Sequence, residues 1–187
     1  LMNSPAKRAL DFVTFDLETS NLNADFSVLL SGVIKPFGCA PVVFRADTYP
    51  QWVADRANDK AIVVDIAQEL QKHAVVITHY GQRFDIRFLR AKMIKHRLPP
   101  LPLMFGIDSW RIAKDNLKVS SRRLGALSEF VQLGDKEDVR GTIWMEAAYN
   151  GSKEAMDKIV VRNIKDCELL EALTCLLFPY VKSIPKL

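Results

Sequence analysis

The sequence predicts an α/β domain built on a mixed sheet, and three observations carry that expectation. Three short apolar, β-branched runs stand near the amino terminus, joined by connections too short for a crossover helix, so they should pair antiparallel. Beyond residue 59 the apolar spacing switches to a helical period, and helices then alternate with two further short strands. With 187 residues, 49% of them apolar and 26% charged, the chain has material for one core and is neither disordered nor fibrous. Residues 1–187 are therefore expected to form a single domain.

The elements follow in order. Residues 11–18 begin as a Phe-Val-Thr-Phe strand and end in acidic side chains. A second strand over 26–34 is stopped by Pro36 and Gly38, and a third covers 41–46. Residues 59–72 form a helix with Ile62, Ile66 and Leu70 on one face. A short buried strand, Val75–Thr78, precedes a helix over 85–97 that turns Ile86, Leu89 and Met93 inward. Pro99, Pro100 and Pro102 break the chain there. An edge strand over 106–109, helices around 110–114 and 123–131, and a long helix over 153–177 ended by Pro179 complete the order β-β-β-α-β-α-β-α. Such an order describes a mixed central sheet flanked by helices.

Composition narrows the environment. The longest uncharged stretches, 98–107 and 172–181, reach only about half a membrane span, so no membrane partner is expected. The start of the sequence lacks a secretory pattern, and Cys39, Cys167 and Cys175 are odd in number without metal or redox spacing. They are expected to be buried thiols of a cytoplasmic protein. Charge is uneven: residues 82–123 hold eleven Lys/Arg against three Asp, whereas the rest of the chain is net negative. That suits a surface facing a polyanion, though a solvated helix face would read the same. The basic stretch shows no aromatic series suited to base stacking.

Three acidic positions stand out. Asp16 and Glu18, two apart on a strand, point to one face, at the end of a strand that should be central and buried. Carboxylates there are costly unless a cation or partner neutralises them. Two other Asp-x-Glu triplets, Asp135/Glu137 and Asp166/Glu168, make spacing alone a weak signal. Asp85 begins a helix after a Gly-containing loop, as a plain N-cap or as an acid facing a cleft. Asp166 shares a helix face with Arg162, Leu169, Leu170 and Leu173, while Glu168 lies about 200° away; a surface pair with Arg162 is the simpler alternative. Carboxylates converging on one cleft call for Mg²⁺ or Mn²⁺, and two such ions about 4 Å apart suit phosphodiester hydrolysis.

The segments Phe15-Asp-Leu-Glu-Thr19, His79-Tyr-Gly-Gln-Arg-Phe-Asp-Ile-Arg-Phe-Leu89 and Asn163-Ile-Lys-Asp-Cys-Glu-Leu-Leu170 resemble the three motifs of the DEDD (DnaQ-like) 3′–5′ exonuclease superfamily. The branch they resemble most is the exonuclease domain of family B DNA polymerases and its stand-alone relatives, over about residues 11–178. Ile107-Asp-Ser-Trp-Arg-Ile-Ala113 and Ser121-Arg-Arg-Leu-Gly-Ala-Leu-Ser128 look like the same branch. The resemblance implies a ribonuclease H-like fold with the first three strands antiparallel, and a two-metal 3′–5′ exonuclease acting on single-stranded nucleic acid, DNA before RNA. It implies that Asp16 touches both ions, that Glu18 and Asp166 hold the one that activates water, and that Asp85 serves the other. It places Leu17, Thr19, His79, Tyr80, Phe88, Arg122 and Arg123 along the substrate, and a polymerase or other replication or repair protein among the partners.

Two positions depart from that pattern. The family carries a Tyr four residues, or a His five residues, before the last Asp to orient the attacking water; here they are Arg162 and Val161. The Asn usual after His79 is Tyr80. Arginine stays protonated and cannot act as a base, so a slow enzyme is expected. Arg162 can instead pair with Asp166, reach the scissile phosphate, or take a cation's place, and His79 or Tyr80 can serve as the water-orienting group. The alternatives to an exonuclease are a non-catalytic nucleic-acid-binding relative and a ribonuclease H-like endonuclease.

Overall fold

The computed structural model describes residues 11–134 and 141–187; the Asp135/Glu137 triplet lies outside them. Strands β1 (Phe12–Thr19), β2 (Leu29–Pro36) and β3 (Val42–Arg45) come first, followed by helices α1 (Pro50–Ala54) and α2 (Lys60–Leu70). Strand β4 (Val75–Thr78), helix α3 (Asp85–Lys95), strand β5 (Phe105–Asp108) and helices α4 (Ser109–Asn116) and α5 (Leu124–Phe130) continue the order. Helices α6 (Ile143–Asn150) and α7 (Lys153–Leu177) close it. The sheet runs β3-β2-β1-β4-β5, antiparallel across the first three strands and parallel from β1 through β4 to β5. The expected mixed sheet is therefore present. No helix among the described residues is long and apolar enough to cross a membrane.

Period-two alternation in β1 sorts its side chains. Val13, Phe15 and Leu17 join a core with Ile62, Ile66 and Leu70 of α2 and Ile86 and Leu89 of α3. The even-numbered positions face α7, where Thr14 Oγ1 donates to the Cys167 carbonyl at 3.2 Å. On the α7 side, Val75 and Ile77 of β4 and Ile107 of β5 pack with Leu124, Leu127, Leu170, Leu173 and Leu177. The same alternation that buries the odd residues thus delivers Asp16 and Glu18 to α7.

Two helices differ from the sequence expectation. α1 and α6 are short; α6 ends at Gly151, whose φ of +64° is the left-handed C-terminal cap position that suits glycine. Strand β2 begins at Leu29 rather than 26, because Phe26 turns outward and is 76% exposed. The cysteines also correct the reading: Cys167 is buried, but Cys39 and Cys175 are exposed, one in the turn after β2 and one on the outer side of α7.

Lys92, counted above among the basic residues, is fully buried and does not contribute to the surface. Its ammonium lies 2.8 Å from Asp59 Oδ2 and donates to the Ser27 carbonyl; His96 Nε2 stands 2.7 Å from Asp59 Oδ1, and the Leu29 N–H donates to Asp59 at 3.1 Å. This knot joins the start of α2, α3 and the entry to β2. Burial pushes the Asp59 carboxyl up, but Lys92 and His96 outweigh it and hold the group below its ordinary range. An acid whose folded pKa is depressed stabilises the fold fully above its unfolded pKa, about 4, and loses that contribution as the pH falls through the folded value. Lys92→Met should cost about 3–5 kcal/mol in urea unfolding at neutral pH, by leaving a buried carboxylate without its main partner. Below about pH 4 the loss of stability with acid should be shallower in the variant than in the wild type.

Candidate metal centre and nucleic-acid cleft

Asp16 and Glu18 reach the α7 side of β1, and Asp166 meets them from α7. One carboxylate oxygen from each lies within 4.8 Å of the others, a spacing one cation can span. Asp166 is 4% exposed on a helix whose neighbours on that face are buried, whereas Glu168 is exposed. The helical phase therefore separates the two acids of that triplet.

Each member of the cluster is oriented by a neighbour. Asn163, three residues before Asp166 and on the same face, donates from Nδ2 to Asp16 Oδ2 at 2.7 Å; Ser31 Oγ of β2 fixes that amide by donating to its Oδ1 at 2.8 Å. The Trp144 indole N–H donates to Glu18 Oε2 at 2.7 Å, and Arg162 Nε donates to Glu18 Oε1 at 3.2 Å. Arg162 also stands 3.9 Å from Asp166 and 5.5 Å from the Trp144 ring centroid. Its guanidinium therefore lies inside the acidic cluster and is more than a surface partner of Asp166.

Asp85 stands apart from the three-acid group. Phe84 takes the N-cap position of α3, so Asp85 is not a plain cap; its Oδ1 accepts from the Leu17 N–H at 2.9 Å, between Asp16 and Glu18. The carboxyl is 3% exposed. Burial pushes it up to about 7 against the pull of the Leu17 N–H, and the charges of Glu18 and Asp108 add to the rise. Gly81 lets the preceding loop close over it: a Cβ there would fall 2.6 Å from Asp85 Oδ2 and 2.4 Å from Thr78 Cβ.

The acids open onto a cleft of about 550 Å³ whose walls include Asp16, Asp166, Arg162, His79, Arg123 and Glu129. His79 is braced from both sides: Nε2 meets the Arg122 carbonyl at 2.8 Å and Nδ1 meets Ser109 Oγ at 2.8 Å. A carbonyl only accepts, so Nε2 carries a proton in this contact and is not available to take one from water. Tyr80 faces Trp110 rather than the acids, at 4.9 Å between ring centroids. Leu17 and Phe88 are 4% and 3% exposed and pack in the core, and Thr19 Oγ1 donates to the Asn21 carbonyl within its turn. Arg122 is half-buried and Arg123 exposed on the cleft wall. Sequence reading missed Trp144, Asn163, Ser31 and Ser109. Only Asn163 had a signal, its i,i+3 relation to Asp166; Trp144 lies on the unforeseen α6.

A family model of the RNase_H superfamily matches residues 13–178. Among solved structures, the chain is similar to the family B DNA polymerase from the hyperthermophilic archaeon Pyrobaculum calidifontis, with a TM-score of 0.71 at 14% identity over 91% of this chain. The chain spans only 25% of that polymerase, so the likeness is one of fold. No curated protein matches the sequence. The family match spans β1 through α7 and every acid of the cleft, and the chain accordingly belongs to the RNase_H superfamily.

Proposed function

We propose that the chain is a metal-dependent 3′–5′ exonuclease that hydrolyses phosphodiester bonds of single-stranded nucleic acid, DNA first. The observation that carries this reading is the convergence of Asp16, Glu18 and Asp166 on one point beside a cleft that Arg123 and Arg162 also line. An all-carboxylate donor set suits a hard divalent cation such as Mg²⁺ or Mn²⁺, so the residues present fit the ion that the resemblance implies. Asp16, Glu18 and Asp166 would hold one ion, and Asp85 would serve a second beside Asp16. When bound by these acids, such ions would supply a lowered water pKa and charge stabilisation on the leaving oxygen.

The chain's own groups prepare that chemistry. Asn163 and Trp144 hold Asp16 and Glu18 in fixed orientations, the support that metal-binding carboxylates commonly need. Arg162, always protonated, is placed to offset the carboxylates and to meet a phosphate, not to remove a proton. With Val161 outward and 53% exposed, and His79 Nε2 committed to a carbonyl, neither of these two side chains takes the part of a general base. General-base help is typically worth about 10²–10⁴ in rate, so turnover should be slow by that order.

A second reading, a binding relative without catalysis, draws on one observation: both oxygens of Glu18 are engaged, one of them by Arg162. The two are separated by release of mononucleotides from a 3′-labelled single strand with Mn²⁺ or Mg²⁺. Release should stop with a chelator and with Asp16→Asn, and a circular strand should stay intact. Trp144→Phe, which removes the indole donor to Glu18, should slow release about 10–100-fold. Release that survives Asp16→Asn, or nicking of the circle, would contradict the exonuclease; salt-sensitive binding without release would select the binding relative.

A further inference from the structure

On the same rim of the sheet a second constellation lies outside the acidic cluster. Strands β4 and β5 end side by side, with Thr78 paired to Asp108, and the residues beyond those ends carry two aromatic rings. Tyr80 adopts φ of +64°, a left-handed conformation uncommon for a bulky residue. One buried carboxylate holds it there: Asp108 Oδ1 accepts from the Tyr80 N–H at 2.8 Å and from the Trp110 N–H at 3.1 Å. The rings meet edge to face at 73°, leaving Tyr80 40% exposed. The exposed Arg83 guanidinium sits 5.9 Å and 6.0 Å from the two ring centroids, and the Lys114 ammonium 5.5 Å from Trp110. A hollow of about 290 Å³ beside them is lined by Trp110 with Arg83, Arg111 and Lys114, and by the carboxylates of Asp108 and Asp115, the latter 3.9 Å from Arg111.

We propose that Tyr80 and Trp110, with Arg83 and Lys114, form a stacking subsite for one base of a single strand whose 3′ end lies in the acidic cleft. This rests on the reading of the chain as a protein of single-stranded nucleic acid. Aromatic faces beside cations are the pairing that a base and its phosphate require, and a base inside a duplex has no face to offer. The occupant is a nucleic acid rather than an acidic peptide because the site joins two rings to the positive charge of Arg83 and Lys114, in and next to the basic stretch. His79 and Ser109, the immediate neighbours of the two rings, hydrogen-bond to each other, and His79 lines the acidic cleft, so the two sites share one wall. β5 lies two strand spacings, about 10 Å, from β1. At roughly 3.4 Å per stacked nucleotide, the base held is about three steps in from the 3′-terminal one.

The test is binding of a labelled eight-nucleotide single strand in the presence of chelator at fixed salt, with abasic sites placed in turn near the 3′ end. Trp110→Ala should weaken binding of the intact strand about ten-fold, and Trp110→Phe, which keeps a ring, should restore most of it. A strand abasic at the matched position should bind the wild type as weakly as the intact strand binds the alanine variant, and the two losses should not add. Wild-type affinity in Trp110→Ala, equal losses in the Ala and Phe variants, or full additivity with every abasic position would overturn the subsite alone. A wild-type protein that neither binds nor cleaves any single strand would overturn the nuclease reading and the subsite with it.

Discussion

Carboxylates crowded at the end of one central strand are the constraint on which the rest of the site depends. Asp16 and Glu18 point the same way because a strand has a period of two, and α7 brings Asp166 against them. Like charges at such spacing oppose folding unless something answers them. The chain answers with a guanidinium between Glu18 and Asp166, an amide on Asp16, an indole on Glu18 and a backbone N–H on Asp85. Asp85 still feels the residue of that charge, since burial with Glu18 and Asp108 nearby pushes it up to about 7. A cation beside it would favour the ionised form.

Arg162 gives the site its particular character. At its position the family resembled carries a tyrosine that orients water; this chain has a permanent cation locked onto two of the acids and lying over Trp144. A side chain so placed offsets the charge of the cluster, and in the proposed nuclease it would offer a phosphate a partner at the expense of a base. His79, on the same wall, is a brace between Arg122 and Ser109.

What was legible in the sequence follows from periodicity. Strand alternation put Asp16 and Glu18 on one face and the helical phase of α7 turned Glu168 away from Asp166, while the meeting of the three acids was implied by the family resemblance. The antiparallel start of the sheet followed from short connections. Contacts between residues far apart in sequence had no such signal. Trp144 reaches Glu18 across 126 positions from a helix of eight residues whose apolar pattern is too short to read. Tyr80 and Trp110 come together only because β4 and β5 end in register, so a scan of the basic stretch for an aromatic series could not find them. Lys92 counted as surface charge until Asp59 and His96, supplied by two different helix ends, were seen around it.

Asp16, Glu18 and Asp166 are proposed as a divalent-cation site despite the guanidinium among them. Titration of the metal-free protein with Mn²⁺, followed by electron paramagnetic resonance, tests it without reference to any substrate. Saturable binding to the wild type is expected, with an affinity at least about 10-fold weaker in Asp166→Asn, which keeps the shape and removes the charged ligand. Equal Mn²⁺ affinity in the two proteins, or none in the wild type, would contradict it.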